Sequence, residues 1–580
     1  MKNFSQKNRD ILLAILFLLV FSISLQGIQL IHQNLYLGSD WIFHYNRFYD
    51  AAQQIKQGNF QYFISMYGFA QSGRIVNAVY GPLFAYFNGL LLLICRTWFN
   101  YQLLSNLLLT FFAALSMFVL LTKNKIRLPV SILLASFYTT IYQVQNWSFN
   151  QHLGSWGAII FPLGILAGAR LLKAQPKRNI FLLAGVVTLA VEVHSLTALF
   201  LVMILTGFFL IALFVSSQKK QMIQSVLIAA FLTILATGNV WYPLIELNRE
   251  NQLLRPFVKW NLEESAVEFI GIDLFKQLLL GVVVLLIVLQ ILYLVFGPFN
   301  RLNRVVTGLA IMLFILSSDL FPWDELAKKF PFLTIIQFPN RFLLPAFSLA
   351  LLAVGITAET LLTEKADHPG TKRMSYAILG ILVLFGFIFH IDSSYERMKV
   401  WQSSQVVTSL SNVQLTRKDP EELRHSFDTN QPLKKPLEIF LKPTSDYVPV
   451  ENKNRIYDPS FHPYAEYKKA IFENSLKKQL KKSVSKNGLT LQFQTKAEKV
   501  QLPIFVYKRT EIFLNGKKLQ KTEVQKNAIG ALIIHPYKGE NTVFIRYKAS
   551  LFFKISLGIS LTCWILAFLL LIRSWVLKLV

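Results

Sequence analysis

The sequence predicts a mostly α-helical membrane protein, a polytopic bundle of transmembrane helices with a smaller extracellular β-rich domain before the last helix. Composition is the first observation, since the 580 residues are 53% hydrophobic and only 16% charged. The second is that apolar runs of roughly 17–25 residues, long enough to cross a bilayer core, recur along most of the chain. The third is a polar segment near the end in which apolar residues alternate as in β-strands.

The apolar runs supply about twelve candidate spans, and a thirteenth if a further run at 79–97 crosses the bilayer completely. Gly81-Pro82 at the start of that run suits a broken or shallow segment, so a crossing and a re-entrant form both remain open. The twelve spans lie near residues 11–31, 101–121, 128–144, 155–172, 179–192, 195–217, 221–241, 276–297, 304–318, 341–363, 374–391 and 551–572.

The net charge of +27 does not indicate a nucleic-acid partner, because many lysines and arginines lie in short loops between apolar runs. If the 79–97 run does not cross, these loops all fall on one side, which the positive-inside rule assigns to the cytoplasm. Both chain termini are then cytoplasmic. The basic loops are 123–127, 173–178, 216–220, 300–304 and 363–373.

This topology divides the chain into a transmembrane module at 1–391, an extracellular α/β domain at 392–550 and a C-terminal transmembrane helix at 551–580. The second half of the extracellular domain is predicted to be β-sandwich-like, because apolar residues alternate there and Asn515-Gly516 is a hairpin signal. The alternating positions are Leu489, Leu491, Phe493, Val543, Ile545 and Tyr547.

A juxtamembrane helix is predicted at 40–57, directly after the first span, with Ser39 as its N-cap. Asp40, His44 and Arg47 are spaced i, i+4, i+7 and therefore share one face of this helix. The opposite face is apolar. The pattern predicts a helix that lies flat on the membrane and presents three ionisable side chains away from it.

Asp40 is the candidate catalytic residue. Its simplest role is to complement the helix dipole at the first turn, but that role needs neither His44 nor Arg47. A carboxylate at a lipid–water boundary is also able to take a proton from a hydroxyl group or to bind a divalent cation. These two chemical roles remain open, and the sequence specifies no cofactor.

Ionisable residues near the spans concentrate at the predicted outer edge, whereas mid-span positions are nearly free of charge. This distribution favours chemistry at the outer surface over a pump or secondary transporter, which carries charges near the bilayer midplane. Besides His44 and Arg47, the candidate substrate-binding residues are His152, Glu192, His194, Asp319 and Arg341.

Each of these residues also has a simpler explanation. Arg341 begins a span, where an arginine either snorkels to the interface or grips a lipid phosphate with two parallel hydrogen bonds. Glu192 and His194 either mark a turn between two spans or form a charged pair with a function in the site. Asp319 lies in a loop that would be polar in any case.

The loop at 143–156 combines amide side chains with Trp147 and Trp156. Such a set resembles a sugar-binding surface, and an aromatic belt at the membrane interface explains the tryptophans equally well. Motifs for nucleotide phosphates, dinucleotides or zinc are absent from the sequence. Cys95 and Cys563 lie in apolar runs and indicate neither a disulfide nor a metal site.

Several short segments resemble one protein family. They are GSDWIFHYNRF (38–48), VYGPLFAYF (79–87), QFPNRFLLP (337–345), DYVPV (446–450) and LNGK (514–517). The chain resembles the bacterial membrane proteins named 6-pyruvoyl-tetrahydropterin-synthase-related, close to the YfhO-type proteins. The resemblance spans most of the chain, although nothing in it matches the zinc-binding histidines of the soluble synthase.

YfhO-type proteins are similar in turn to the GT-C class of glycosyltransferases. The resemblance implies a GT-C-like bundle of about 12–13 spans in a bacterial cell membrane and a sugar donor linked to a lipid phosphate. It implies that Asp40 is the aspartate of the first outer loop and that Arg341 contacts the donor phosphate. Sugar nucleotides are cytoplasmic, so transfer on the outer face needs a donor delivered in the bilayer.

The expected function is transfer of a sugar from a polyprenyl-phosphate donor to a cell-envelope acceptor, such as teichoic acid or another surface polymer. The outer domain would bind the acceptor, and its lysines suit an anionic polymer or form a solvated face. Examples are Lys477, Lys478, Lys481 and Lys482. The alternatives are a transporter or flippase of a lipid-linked precursor, and a non-catalytic envelope-assembly protein.

Overall fold

The computed structural model describes residues 6–173, 179–254, 256, 261–268, 286–364, 369–410, 413–452, 461–476 and 479–579. The chain is mostly helical, with a small β region that precedes the last helix. Both features confirm the predicted class at this level.

The helices follow one another along most of the described chain. Their bounds are α1 Gln6–Ser24, α2 Gly27–His32, α3 Trp41–Gln57, α4 Pro82–Cys95, α5 Trp98–Lys123, α6 Leu128–Thr140, α7 Tyr142–Asn150, α8 Gly157–Leu172, α9 Ile180–Val193, α10 Ser195–Val215, α11 Lys219–Ala236, α12 Gly238–Glu250, α13 Leu286–Phe296, α14 Arg301–Ser317, α15 Trp323–Lys329, α16 Leu343–Glu364, α17 Pro369–Gln402, α18 Pro420–His425, α19 Lys435–Ile439, α20 Pro463–Tyr467 and α21 Leu551–Leu579.

Seven helical segments within the described residues are long and apolar enough to cross a membrane. Each coincides with one of the predicted spans, which supports a membrane helical bundle. The seven segments are Trp98–Lys123, Leu153–Leu172, Ser195–Val215, Lys219–Ala236, Pro339–Glu364, Lys372–Gln402 and Leu551–Arg573.

Four other apolar helices, α4, α6, α9 and α13, are shorter. Helix α4 has 14 residues, which at about 1.5 Å per residue gives a length of about 21 Å against a hydrocarbon core of about 30 Å. The predicted span at 276–297 is described only from residue 286 onward. Much of the predicted basic loop at 173–178 also lies outside the described residues.

Two predicted continuous spans are interrupted. The run at 11–31 is divided between α1 and α2, because the Ser22 and Ser24 hydroxyls donate to the Leu18 and Phe21 carbonyl oxygens shortly before the break. The run at 128–144 breaks at Ile141, whose backbone is extended. Thr139, Thr140 and Ile141 are all β-branched, and their restricted side chains disfavour continuation of the helix there.

The chain folds as two compact units that interleave along the sequence. The first, called here the helical unit, comprises Met1–Tyr36, Gln102–Thr233 and Val258–Gln402. The second, called the mixed unit, comprises Leu37–Tyr101, Ile234–Phe257 and Ser403–Val580. Residues 37–101, which the sequence assigned to the transmembrane module, therefore belong to the same unit as the β-strands.

Small residues bring helices together in the helical unit. An added Cβ at Gly168 of α8 would lie 2.4 Å from the Phe208 ring of α10, and one at Gly164 would meet Leu201. Close helix approach of this kind is typical of helices packed in membranes.

The strands of the mixed unit form two main antiparallel sheets. One has the order β3-β4-β10-β6-β7, the other the order β5-β9-β8, and β1 pairs only with β2. The strand bounds are β1 Gln414–Leu415, β2 Phe440–Leu441, β3 Lys481–Ser485, β4 Gly488–Thr495, β5 Val500–Phe505, β6 Thr510–Leu514, β7 Lys517–Lys518, β8 Gln525–Lys526, β9 Ala531–Ile534 and β10 Gly539–Tyr547.

The predicted alternation is confirmed in these sheets. Leu489 and Leu491 of β4 and Val543 of β10 are fully buried, and they share a core with residues of the second sheet. Asn515 and Gly516 both have positive φ, at 48° and 83°, in the turn between β6 and β7. That turn geometry is the one for which Asn-Gly is favoured.

Helices α3 and α4 pack closely within the mixed unit. An added Cβ at Gly89 of α4 would lie 2.7 Å from the backbone nitrogen of Ala52 and 2.9 Å from the Ala51 Cβ on α3. Only glycine permits this backbone approach, because the neighbouring atoms belong to a rigid helix. Gly89 therefore fixes how closely α4 approaches the helix that carries the candidate site.

Replacing Gly89 by Val is expected to lower the free energy of unfolding by roughly 1–3 kcal/mol, because the new side chain forces the two helices apart. Thermal unfolding of the purified protein in detergent measures this change. Gly558→Ala is the matched control, since no heavy atom lies within 4 Å of a Cβ there. Equal unfolding temperatures for both variants would contradict the close packing of α3 on α4.

Candidate functional site

Helix α3 carries three of the predicted site residues and begins one residue later than expected. Its N-cap is Asp40 and not Ser39, although the Asp40 side chain makes no capping hydrogen bond. Gly58 ends the helix with φ of 60° and donates its N–H to the Ile55 carbonyl oxygen. Asp40 is half-buried, so it lies at a partly accessible end of a well-defined helix.

The prediction that Asp40, His44 and Arg47 form an exposed face of α3 is wrong for two of the three residues. His44 is only 3% exposed and Arg47 is fully buried. The i, i+4, i+7 spacing correctly groups the three side chains, but residues 59–80 and other parts of the mixed unit cover that side of the helix. His44 and Arg47 therefore lie in the interior of the mixed unit, deeper than Asp40.

Arg47 connects α3 to the turn that precedes α4. Its Nε donates to Asn77 Oδ1 at 3.0 Å, its Nη2 donates to the Tyr80 carbonyl oxygen at 2.8 Å, and its guanidinium lies 5.1 Å from the Tyr80 ring centre. Burial lowers the pKa of Arg47 to about 10, so the group stays charged at neutral pH. Nη1 lies 3.3 Å from His44 Nδ1. Because a guanidinium only donates, Nδ1 accepts, and a neutral His44 carries its proton on Nε2.

Asp50 is a buried carboxylate, one further turn along α3, that the sequence analysis did not single out. Its Oδ1 accepts three backbone N–H groups, from Met66 at 2.8 Å, Tyr67 at 2.6 Å and Gly68 at 3.1 Å. Its Oδ2 accepts from Gln54 Nε2 at 2.8 Å. Burial raises the pKa of Asp50, and these hydrogen bonds oppose that rise. The role of Asp50 is to hold the 66–68 loop against α3.

A second carboxylate, Asp446, lies within electrostatic range of Asp40. Burial is the main cause of the raised pKa of Asp446 and of the Tyr80 hydroxyl, and the negative charge of Asp40 adds a smaller rise to both. Lys442 lies beside the same helix start, where its Nζ donates to the Ser39 carbonyl oxygen at 2.8 Å. Two acids and a lysine therefore lie within electrostatic range of one another near the N-terminus of α3.

Arg74 holds the loop that carries Asp446. It is fully buried, and its Nη1 and Nη2 donate to the Thr444 and Asp446 carbonyl oxygens at 2.5 and 2.7 Å. Its guanidinium also lies 4.8 Å from the Phe69 ring centre. The Nε of Arg74 is buried without a hydrogen-bond partner among the described residues.

The predicted residues of the helical unit form a separate group. His152 Nδ1 lies 3.0 Å from Asn146 Nδ2, and His194 Nδ1 lies 3.1 Å from Thr197 Oγ1. An added Cβ at Gly154 would lie 3.9 Å from the His194 ring. The structure thus brings the 143–156 loop to the kink between α9 and α10, as a site that uses both would require.

The two tryptophans of the 143–156 loop lie neither in a sugar-binding surface nor in an aromatic belt, the two environments predicted for them. Trp147 is 1% exposed and Trp156 is 5% exposed, and their rings contact each other at 5.8 Å. Both a sugar-stacking surface and a lipid-facing aromatic belt need exposed rings. The two tryptophans instead pack in the interior of the helical unit.

The other three candidates of the helical unit occupy different surroundings. Glu192 is buried near the end of α9. Asp319 is exposed in the turn after α14, where its N–H donates to the Val267 carbonyl oxygen. Arg341 is half-buried and donates through Nη1 to the Ile336 carbonyl oxygen at 3.0 Å and to Gln337 Oε1 at 3.3 Å. Arg341 therefore stabilises the turn before α16.

The lysines proposed for an anionic polymer differ in their surroundings. Lys481 is exposed, whereas Lys482 donates through Nζ to the carbonyl oxygens of Ala70, Gln71 and Pro503 at 2.8–3.1 Å. Lys482 thus serves to hold a loop to the sheet. Lys477 and Lys478 lie outside the described residues.

The described residues contain no group of three or more histidine, cysteine or acidic side chains placed to hold a metal ion. The metal ligands that the Asp40 site offers are two carboxylates. The positive charges of Arg74 and Lys442 act on one of them, Asp446. Divalent cations such as Ca²⁺ are bound by six or more oxygen ligands. This set of side chains does not fit a divalent cation held by protein ligands alone.

Four residues near Asp40 are not recognisable from the sequence as members of its site: Asp446, Arg74, Lys442 and Tyr80. Asp446 was visible only as the first residue of DYVPV, and no periodic pattern relates it to Asp40.

Comparison of the chain with protein-family models gives no match, and comparison with curated proteins gives none either.

Proposed function

We propose that this protein is a membrane glycosyltransferase of GT-C-like architecture. It transfers a sugar from a polyprenyl-phosphate donor to a cell-envelope acceptor, such as teichoic acid or another surface polymer, on the extracellular face of a bacterial membrane. The observation that carries the proposal is the half-buried Asp40 at the N-terminus of α3, with Lys442 beside the helix start and Asp446 within electrostatic range.

The chemistry of lipid-linked sugar transfer needs such a site. The acceptor hydroxyl oxygen attacks the anomeric carbon, the bond from that carbon to the phosphate oxygen breaks, and the bonding electrons leave with the phosphate. A carboxylate takes the hydroxyl proton, and cations stabilise the departing phosphate. Asp40 is the carboxylate at the centre of this site, and Arg47 and His44 position the helix that carries it.

The membrane topology in this proposal has about twelve spans with both termini in the cytoplasm. Helix α4 is re-entrant, which its length of about 21 Å supports. The Asp40 site, the 143–156 loop, Glu192, Asp319 and Arg341 then lie on the outer side. In this arrangement Arg341 contacts the donor phosphate, and the β-sheets of the mixed unit bind the acceptor.

Sugar analysis of envelope polymers tests this proposal in a strain that lacks the protein. We expect one polymer to lose a sugar, the wild-type protein to restore it, and Asp40→Asn to leave it missing at a normal level of expressed protein. Asp428→Asn is the matched control, because Asp428 is an exposed residue that pairs with His425. An unchanged polymer in the deletion strain, or full restoration by Asp40→Asn, would contradict the proposal.

A further inference from the structure

Asp446 is a carboxylate whose position the packing of the mixed unit does not explain. Among the described residues, the hydrogen bond to its side chain comes from its own backbone N–H. Asp50, in contrast, has four donors on its two oxygens. Within the described part of the chain, Asp446 therefore has fewer donors than Asp50 to offset its desolvation. Functional sites commonly retain such groups.

The loop that carries Asp446 is nevertheless held on both sides. Arg74 donates to its backbone carbonyl oxygen at 2.7 Å, and the next residue, Tyr447, donates its N–H to the Leu254 carbonyl oxygen at 2.8 Å. The Tyr447 ring packs against Tyr80 with ring centres 5.5 Å apart. The carboxylate therefore has a defined position, as a reacting group requires.

Burial and the surrounding charges act on the pKa of Asp446 in opposite directions. Burial raises the pKa of Asp446 most, and Asp40 raises it further, whereas Arg74 and Lys442 lower it. A general base is most effective when its pKa approaches the working pH. The charged and titratable groups that face Asp446 are Arg74, Lys442, Asp40, Tyr80, Tyr447 and Tyr464.

We infer that Asp446 is a second catalytic carboxylate, which accepts the proton of the acceptor hydroxyl while Asp40 faces the reacting sugar. This inference rests on the proposed function, in which it assigns the role of proton acceptor to Asp446 and leaves Asp40 essential to transfer. The hydroxyl oxygen forms the new bond to the anomeric carbon, its proton moves to an Asp446 oxygen, and the phosphate departs with the electrons of the broken bond. The negative charge of Asp40 stabilises the positive charge that develops on the sugar.

The experiment uses the full-length protein in nanodiscs, the washed envelope of the deletion strain, and tritiated undecaprenyl-phosphate glucose, galactose and N-acetylglucosamine as donors. Asp446→Asn is expected to slow transfer at least 100-fold, within the range of about 10²–10⁴ for loss of a general base. The wild-type rate should fall on acidification with a midpoint above about 4, the ordinary aspartate value, because the pKa of Asp446 is raised. Asp446→Asn should lose this acidic limb, and Asp446→Glu should keep it with a shifted midpoint.

Four variants, one of them a control, separate the possible outcomes. An inactive Asp40→Asn with a fully active Asp446→Asn overturns the inference and leaves the proposed function standing. Absence of transfer by the wild-type protein from every donor overturns the proposed function itself. If Asp446→Asn fails to fold, Asp446→Glu decides, and an unchanged pH profile in that variant overturns the inference. Asp428→Asn should match the wild type throughout.

Discussion

Asp50→Ala is expected to lower the free energy of unfolding by about 3–5 kcal/mol. The substitution leaves the N–H groups of Met66, Tyr67 and Gly68 buried without their acceptor, and each lost partner costs about 1–3 kcal/mol. Because whole domains are stable by only about 5–15 kcal/mol, the mixed unit should unfold at a markedly lower temperature. Thermal unfolding in detergent measures the loss.

Limited trypsin digestion gives this prediction a local readout. Release of the 66–68 loop should expose Arg74, which is fully buried in the folded protein, so cleavage after Arg74 should appear only in Asp50→Ala. The exposed Asp428→Ala is the control and should unfold within about 0.5 kcal/mol of the wild type. Equal stability and equal resistance to trypsin in the two variants would show that Asp50 does not hold the loop.

Arg47→Ala is expected to have an effect of similar size, about 3–5 kcal/mol, because it removes the hydrogen bonds that connect α3 to the turn before α4 and leaves their acceptors unpaired. Asn77 Oδ1 and the Tyr80 carbonyl oxygen both lose their donor. Arg47→Lys keeps the charge, but a lysine cannot reproduce two donors in a fixed fork. Its unfolding temperature should therefore lie between those of the alanine variant and the wild type.

The control for Arg47 is the exposed Arg417, whose Nε lies 3.7 Å from Glu422. Exposed ion pairs contribute about 0–1 kcal/mol, so Arg417→Ala should unfold close to the wild type. The expected order of stability is Arg417→Ala, then Arg47→Lys, then Arg47→Ala. An Arg47→Ala variant as stable as Arg417→Ala would mean that the α3 contacts described above contribute little.

Local patterns predicted much of the fold. A period of two identified Leu489 and Leu491 as core positions, because side chains alternate between the faces of a strand. Capping signals predicted α3 almost to its bounds, and the spacing of Asp40, His44 and Arg47 correctly placed them on one helix face. Runs of apolar residues predicted about twelve spans, and seven of them coincide with described helices that are long and apolar enough to cross a bilayer.

Long-range packing was beyond these patterns. Nothing near Arg47 indicates that Asn77 and Tyr80 would cover it, so a polar face appeared open when it is buried. Likewise, Asp446 and Asp40 are far apart in the chain. Their electrostatic interaction depends on how Arg74 holds the 444–446 loop. Breaks such as the one at Ile141 depend on local backbone preferences that hydropathy does not capture.

The most direct test of the proposed site measures sugar transfer by the purified protein in nanodiscs, with labelled undecaprenyl-phosphate sugars as donors. We predict that the wild-type protein and Asp428→Asn transfer label to the envelope acceptor at equal rates, and that Asp40→Asn is at least 100-fold slower with an unchanged unfolding temperature. Transfer by Asp40→Asn at the wild-type rate would contradict a transferase centred on this carboxylate.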